Sequence, residues 1–84
     1  MTKIEQWERD TILSQPVFDI KEDAINYCLE KYDSQESFPE VYQEPDGGKY
    51  LAADFKAFEL LLRSGYERIA GFADLMRMWH ARQS

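Results

Sequence analysis

Cysteine and histidine each occur once, at Cys28 and His80. One thiol cannot form an internal disulfide, and neither a Cys-x-x-Cys pair nor zinc-ribbon spacing exists. One imidazole beside Trp79, in the last turn of an expected helix, reads as a surface, end-of-helix histidine rather than as a general base, which needs a group to orient it. Cys28 falls on the apolar stripe of its own expected helix and reads as a buried structural thiol. Long apolar runs are missing as well. The longest, Tyr50-Leu51-Ala52-Ala53, has four residues, and Leu60-Leu61-Leu62 has three, against the roughly 20 residues of a membrane span. Met1-Thr2-Lys3-Ile4-Glu5-Gln6-Trp7 contains no apolar signal region. A lone thiol, no span and no signal region predict a cytoplasmic protein. There is no internal repeat, low-complexity tract or linker, so residues 1–84 are expected to form one domain.

Reaction motifs are equally scarce. Glu44-Pro45-Asp46-Gly47 lacks the alternating ligands and later Glu of a calcium loop. Gly47-Gly48 is followed by neither Lys-Ser/Thr nor a helix, so it is no phosphate loop. A chain of this size buries only about 60–65% of its unfolded surface, leaving little room for a deep cleft beside a complete core. The sequence therefore predicts a non-enzymatic protein with no cofactor and no metal.

Aromatic side chains are present in quantity: two Trp, five Tyr and five Phe. Each removes roughly 150–250 Å² from water when buried, which argues for a folded chain despite 31% charged residues. The net charge is −6, with a pI near 4.6. It is unevenly placed. Residues 1–54 carry five basic and thirteen acidic side chains, a net of −8, and residues 55–84 carry five and three, a net of +2.

Apolar spacing predicts helices at Thr2–Leu13, Asp19–Tyr32, Ala53–Ser64 and about Glu67–Arg82. Thr2 with Glu5, and Asp19 with Glu22, resemble capping boxes. Asp54 is an expected N-cap, and Gly65 an expected left-handed residue after a helix end. The apolar residues Phe55, Phe58, Leu62, Ile69, Phe72, Met76 and Trp79 follow helical steps, and Gly71 interrupts the last helix or moves its start to Phe72. Between the second and third helices, Asp33–Gly48 is acidic and rich in turn residues. Glu40–Gln43 and Lys49–Leu51 are either a small hairpin or an irregular loop. The expected fold is mainly α: a small single-domain bundle of three to four helices with an acidic loop or short β-hairpin.

This pattern predicts a protein-binding adaptor, modulator or inhibitor that presents an acidic surface to a basic site on a partner, for example a nucleic-acid-binding protein. Glu36, Glu40, Glu44 and Asp46, flanked by Tyr42, are the candidate contact residues. Tyr supplies contact area at low entropic cost. One alternative is a nucleic-acid-binding regulator that reads DNA with the C-terminal helix, a reading that the acidic pI disfavours. Another is a structural protein that self-associates through that helix. No membrane partner is expected.

Overall fold

The strand Glu67–Ala70, at the start of what the spacing marks as the last helix, changes the class of the fold. The computed structural model describes residues 6–83. In chain order it contains α1 (Gln6–Leu13), β1 (Val17–Phe18), α2 (Lys21–Ser34), β2 (Glu40–Gln43), β3 (Tyr50–Ala53), α3 (Phe55–Arg63), β4 (Glu67–Ala70) and α4 (Phe72–Gln83). The strands form one antiparallel sheet of order β1-β3-β2-β4. The expected mainly helical bundle is thus corrected to an α+β fold: among the described residues, four helices and a four-stranded sheet. The Thr2–Glu5 capping box lies outside the described residues.

The strands of the hairpin explain the layering. β2 and β3 pair with Val41 opposite Ala52 and Tyr42 opposite Leu51. Successive strand residues point to opposite faces. Val41, Ala52 and Ala70 pack with Ala24, Cys28, Leu29 and Tyr32 of α2 and Leu75 of α4. Tyr42, Leu51 and Ala53 pack with Ile12 of α1 and Ala57, Leu60 and Leu61 of α3. Helices therefore cover both faces, and the hairpin is the middle layer of the molecule. Small residues at Ala52, Ala53 and Ala70 let the helices approach the sheet.

β4 wins over the helical periodicity because β2 offers it a ladder, Gln43 to Glu67 and Val41 to Ala70, with a register shift between them. Gly71 then separates strand from helix. A Cβ there would lie 3.3 Å from Glu40 Oε2 and 3.5 Å from Arg68 Cδ, so the glycine allows close approach of the two strands' side chains. α4 starts at Phe72, with Asp74 reaching back to accept the Gly71 N–H at 3.1 Å.

Local rules explain the other ends. Asp54 caps α3 by accepting the Phe55 N–H at 2.7 Å. α3 closes in a Schellman arrangement: Tyr66 N–H donates to Leu61 O at 2.9 Å and Gly65 N–H to Leu62 O at 3.2 Å. Gly65 has φ +89 there. Asp19 does not cap α2. Ile20 occupies that position without a side-chain bond, while Asp19 faces Lys49 Nζ at 3.6 Å. The α3 face differs from its expected one as well. Leu60 is buried, whereas Phe55 and Leu62 are 68% and 50% exposed.

Candidate interaction surface

The acidic residues of α2 share one side of the helix. At 100° per residue, Glu22, Asp23, Asn26, Glu30 and Asp33 fall within an arc of about 100°. All five are exposed. The buried residues Ala24, Cys28, Leu29 and Tyr32 occupy the opposite side of the helix. At 1.5 Å per residue, Glu22 to Asp33 spans about 17 Å. The two lysines of α2 lie off this arc, and Lys31 is engaged by Glu36 at 3.0 Å. The side chains of Glu22, Asp23 and Glu30 make no hydrogen bond or ion pair with another described residue. The spacing was legible in the sequence: acids at i, i+1, i+8 and i+11 fall on one side of a helix of 3.6 residues per turn.

The five candidate contact residues do not form one patch. Glu36 precedes β2, whereas Glu44 and Asp46 follow it at the hairpin tip, so β2 separates them. Glu44 Oε1 accepts the Lys49 N–H at 2.7 Å, and Asp46 Oδ1 accepts the Gly48 N–H at 3.0 Å. The tip carboxylates thus shape the turn while Asp46 stays exposed. The Asp19–Lys49 pair joins this tip to the start of α2.

Glu40 and Tyr42 lie inside. Glu40 is 5% exposed and Tyr42 fully buried. Glu40 Oε2 accepts the Phe72 N–H at 2.6 Å, at the N-terminus of α4. Its Oε1 accepts from the Tyr42 hydroxyl at 3.3 Å and lies 3.7 Å from Arg68 Nη1. This is a buried cap that ties β2 to α4. Burial first, and Glu40 second, push the Tyr42 hydroxyl up to about 12, against the opposing pull of Arg68. The same two causes push the Cys28 thiol up to about 12. Tyr32 moves upward through burial, then through Cys28 and Glu40. Tyr66 is raised by burial, then by Glu44 and Asp46.

Cys28 is buried in the core between α2 and the sheet, and His80 lies on the exposed end of α4 with its ring 5.1 Å from that of Trp79. Among the described residues no group of three His, Cys, Asp or Glu side chains is arranged to hold a metal ion. Among them too, no helix is long and apolar enough to cross a membrane.

The basic surplus of residues 55–84 is largely paired. Arg63 meets Glu8 at 2.8 Å, Arg68 faces Glu40, and Arg77 meets Asp74 at 2.6 Å. α3 and α4 lie on opposite faces of the sheet with β4 between them. They do not form a helix-turn-helix.

Two apolar concavities flank these features. One, of about 180 Å³, lies between the end of α2 and α4 and is lined by Tyr32, Gln35, Phe38, Met76 and Trp79. The other, of about 320 Å³, lies between α1, the hairpin tip and the end of α3, and includes Leu13, Pro45 and Tyr66. Comparison with protein-family models, curated proteins and solved structures finds no match to this chain.

Proposed function

We propose that this chain is a non-enzymatic protein-binding module, acting in the cytoplasm as an adaptor, modulator or inhibitor, that presents an acidic face to a basic site on a partner protein. The observation that carries this reading is the α2 arc of Glu22, Asp23, Glu30 and Asp33, set opposite the buried side of the same helix. Asp46, exposed at the hairpin tip, adds acidic charge near the start of α2, to which the Asp19–Lys49 pair joins the tip. Glu40 and Tyr42 serve it from within, by fixing the strand from which the tip projects. Such a surface raises association rates and selects against acidic partners. The buried thiol suits a reducing compartment.

The test is affinity capture from extracts of the cells of origin with the wild-type chain and with a Glu22→Lys, Asp23→Lys, Glu30→Lys variant. These three side chains are exposed and unpaired among the described residues, so the variant should stay folded, with its urea midpoint lowered only by the loss of Glu22 and Asp23 from the first turn of α2, about 0.3–1 kcal/mol each. Basic proteins retained by the wild type at low salt should be lost from the variant, and lost from the wild type at about 0.5 M salt, where the Debye length is only a few ångströms. The same proteins captured by both chains would overturn the reading.

A further inference from the structure

The concavity between α1, the hairpin tip and the end of α3 lies across the sheet from α2 and its acidic arc. Its volume, about 320 Å³, falls at the lower end of the range for small-molecule pockets. Ile12, Leu13 and Pro45 give it apolar walls, and Arg9, Ser64 and Tyr66 supply its polar groups. Arg9, Ile12 and Leu13 stand at i, i+3 and i+4, so one side of α1 carries the guanidinium and the apolar wall together.

The walls are tied to one another before any ligand arrives. Glu8 of α1 meets Arg63 of α3 at 2.8 Å. Gln15 Oε1, just after α1, accepts the Asp54 N–H at 3.1 Å. Gly65, at φ +89, brings the end of α3 up to the hairpin tip: a Cβ there would stand 3.6 Å from the Pro45 ring. Tyr66 packs against the cluster that contains Ile12, Leu60 and Leu61. A preformed concavity lowers the entropic cost of binding.

Charge and hydrogen bonding identify the ligand class. Among the described residues that line the concavity, Arg9 alone is charged. Its guanidinium, the Ser64 hydroxyl and the Tyr66 hydroxyl meet no hydrogen-bonding or ionic partner among the described residues. Glu44 and Asp46 stand near Tyr66 but outside the lining, and each already accepts a backbone N–H of the turn. The free groups are therefore a fork of N–H donors and two hydroxyls. An ionised carboxylate offers acceptors only and matches the arginine fork in a bidentate pair.

We propose that this concavity binds a small monocarboxylate with an apolar body. The carboxylate pairs with Arg9, the hydroxyls of Ser64 and Tyr66 add donors, and the body lies against Ile12, Leu13 and Pro45. The site goes beyond the acidic-face reading and does not depend on it.

The probe is phenylacetate, compared with its uncharged analogue phenylacetamide. Each is titrated at neutral pH into the full chain labelled with nitrogen-15, and binding is read from backbone amide shifts. The acid should bind with a Kd of about 1 mM, as expected of a ligand of roughly ten non-hydrogen atoms. The amide should bind about 3- to 10-fold more weakly, having lost the ion pair. Signals of Leu13, Ser64, Gly65 and Tyr66 should move, and those of α2 and α4 should stay. Arg9→Gln should abolish the preference for the acid while keeping the binding of the amide. Arg82→Gln removes an equal charge from the end of α4, across the sheet, and should leave the preference intact.

Equal affinity of wild type for acid and amide would overturn the proposal. So would a preference for the acid that survives Arg9→Gln, or one that falls as far with Arg82→Gln. Shifts confined to α2 and α4, or no shift from either compound at about 20 mM, roughly 20 times the expected Kd, would overturn it as well.

Discussion

Replacing Glu40 tests the corrected fold at its most specific joint. In Glu40→Ala, the Phe72 N–H and the Tyr42 hydroxyl lose their acceptor in an environment where Glu40 is only 5% exposed. Hydrogen bonds to a charged group contribute about 1.5–3 kcal/mol, and a buried donor left unsatisfied costs about 1–3 kcal/mol. A carboxylate at a helix N-terminus adds about 0.3–1 kcal/mol. The Arg68 contact contributes little, because that side chain is 54% exposed. Removing the carboxylate also relieves its own desolvation. The net loss is about 3 kcal/mol, or roughly 12–24 °C in Tm for a domain of this size. Glu40→Gln keeps an acceptor oxygen but not the charge and should lose about half as much. Urea unfolding read by Trp fluorescence gives both values, with the m-value reporting whether the unfolding transition itself has changed. A Glu40→Ala midpoint within about 0.5 kcal/mol of wild type would refute the buried-cap argument.

Gln35 ends α2 at φ 58, a region that costs a non-glycine residue about 1–2 kcal/mol. Gln35→Gly should therefore raise the urea midpoint, by about 0.5–1 kcal/mol after the greater entropy of glycine in the unfolded chain is deducted. A lower midpoint would contradict the assignment. Cys28 and Tyr42 are both held neutral by the fold, their ionisation pushed up to about 12. The unfolded chain loses these protons at lower pH, so stability should be complete below about pH 9 and decline as pH rises toward 12. A flat stability curve over that interval would count against the buried environment. In the folded chain at about pH 8, burial holds Cys28 as the thiol, so modification by a disulfide reagent should proceed only as fast as the chain opens.

Much of the local structure was legible. α2 follows from Ile25, Cys28, Leu29 and Tyr32; the Asp54 cap and the Gly65 stop lie where residue chemistry puts them. β4 was not legible, for a physical reason. Glu67-Arg68-Ile69-Ala70 carries one large apolar residue, and Ile69 keeps helical spacing with Phe72 and Met76. Only the unpaired edge of β2 makes this segment a strand, and that edge is a tertiary fact. Gly71 was the surviving signal of the break. Glu40 misleads similarly. Glutamate is almost never fully buried unless paired, and the amide that pairs it belongs to Phe72, 32 positions away. The acidic arc of α2 was within reach of periodicity alone.

The strand order has a consequence for how this chain is made. β2 lies between β3, which follows it at once, and β4, which is translated only after the whole of α3. A nascent chain can close the hairpin early, yet one side of β2 stays bare until Ala70 has left the ribosome. Bare strand edges recruit other chains. Solubility during synthesis therefore depends on how quickly the ribosome delivers the last strand.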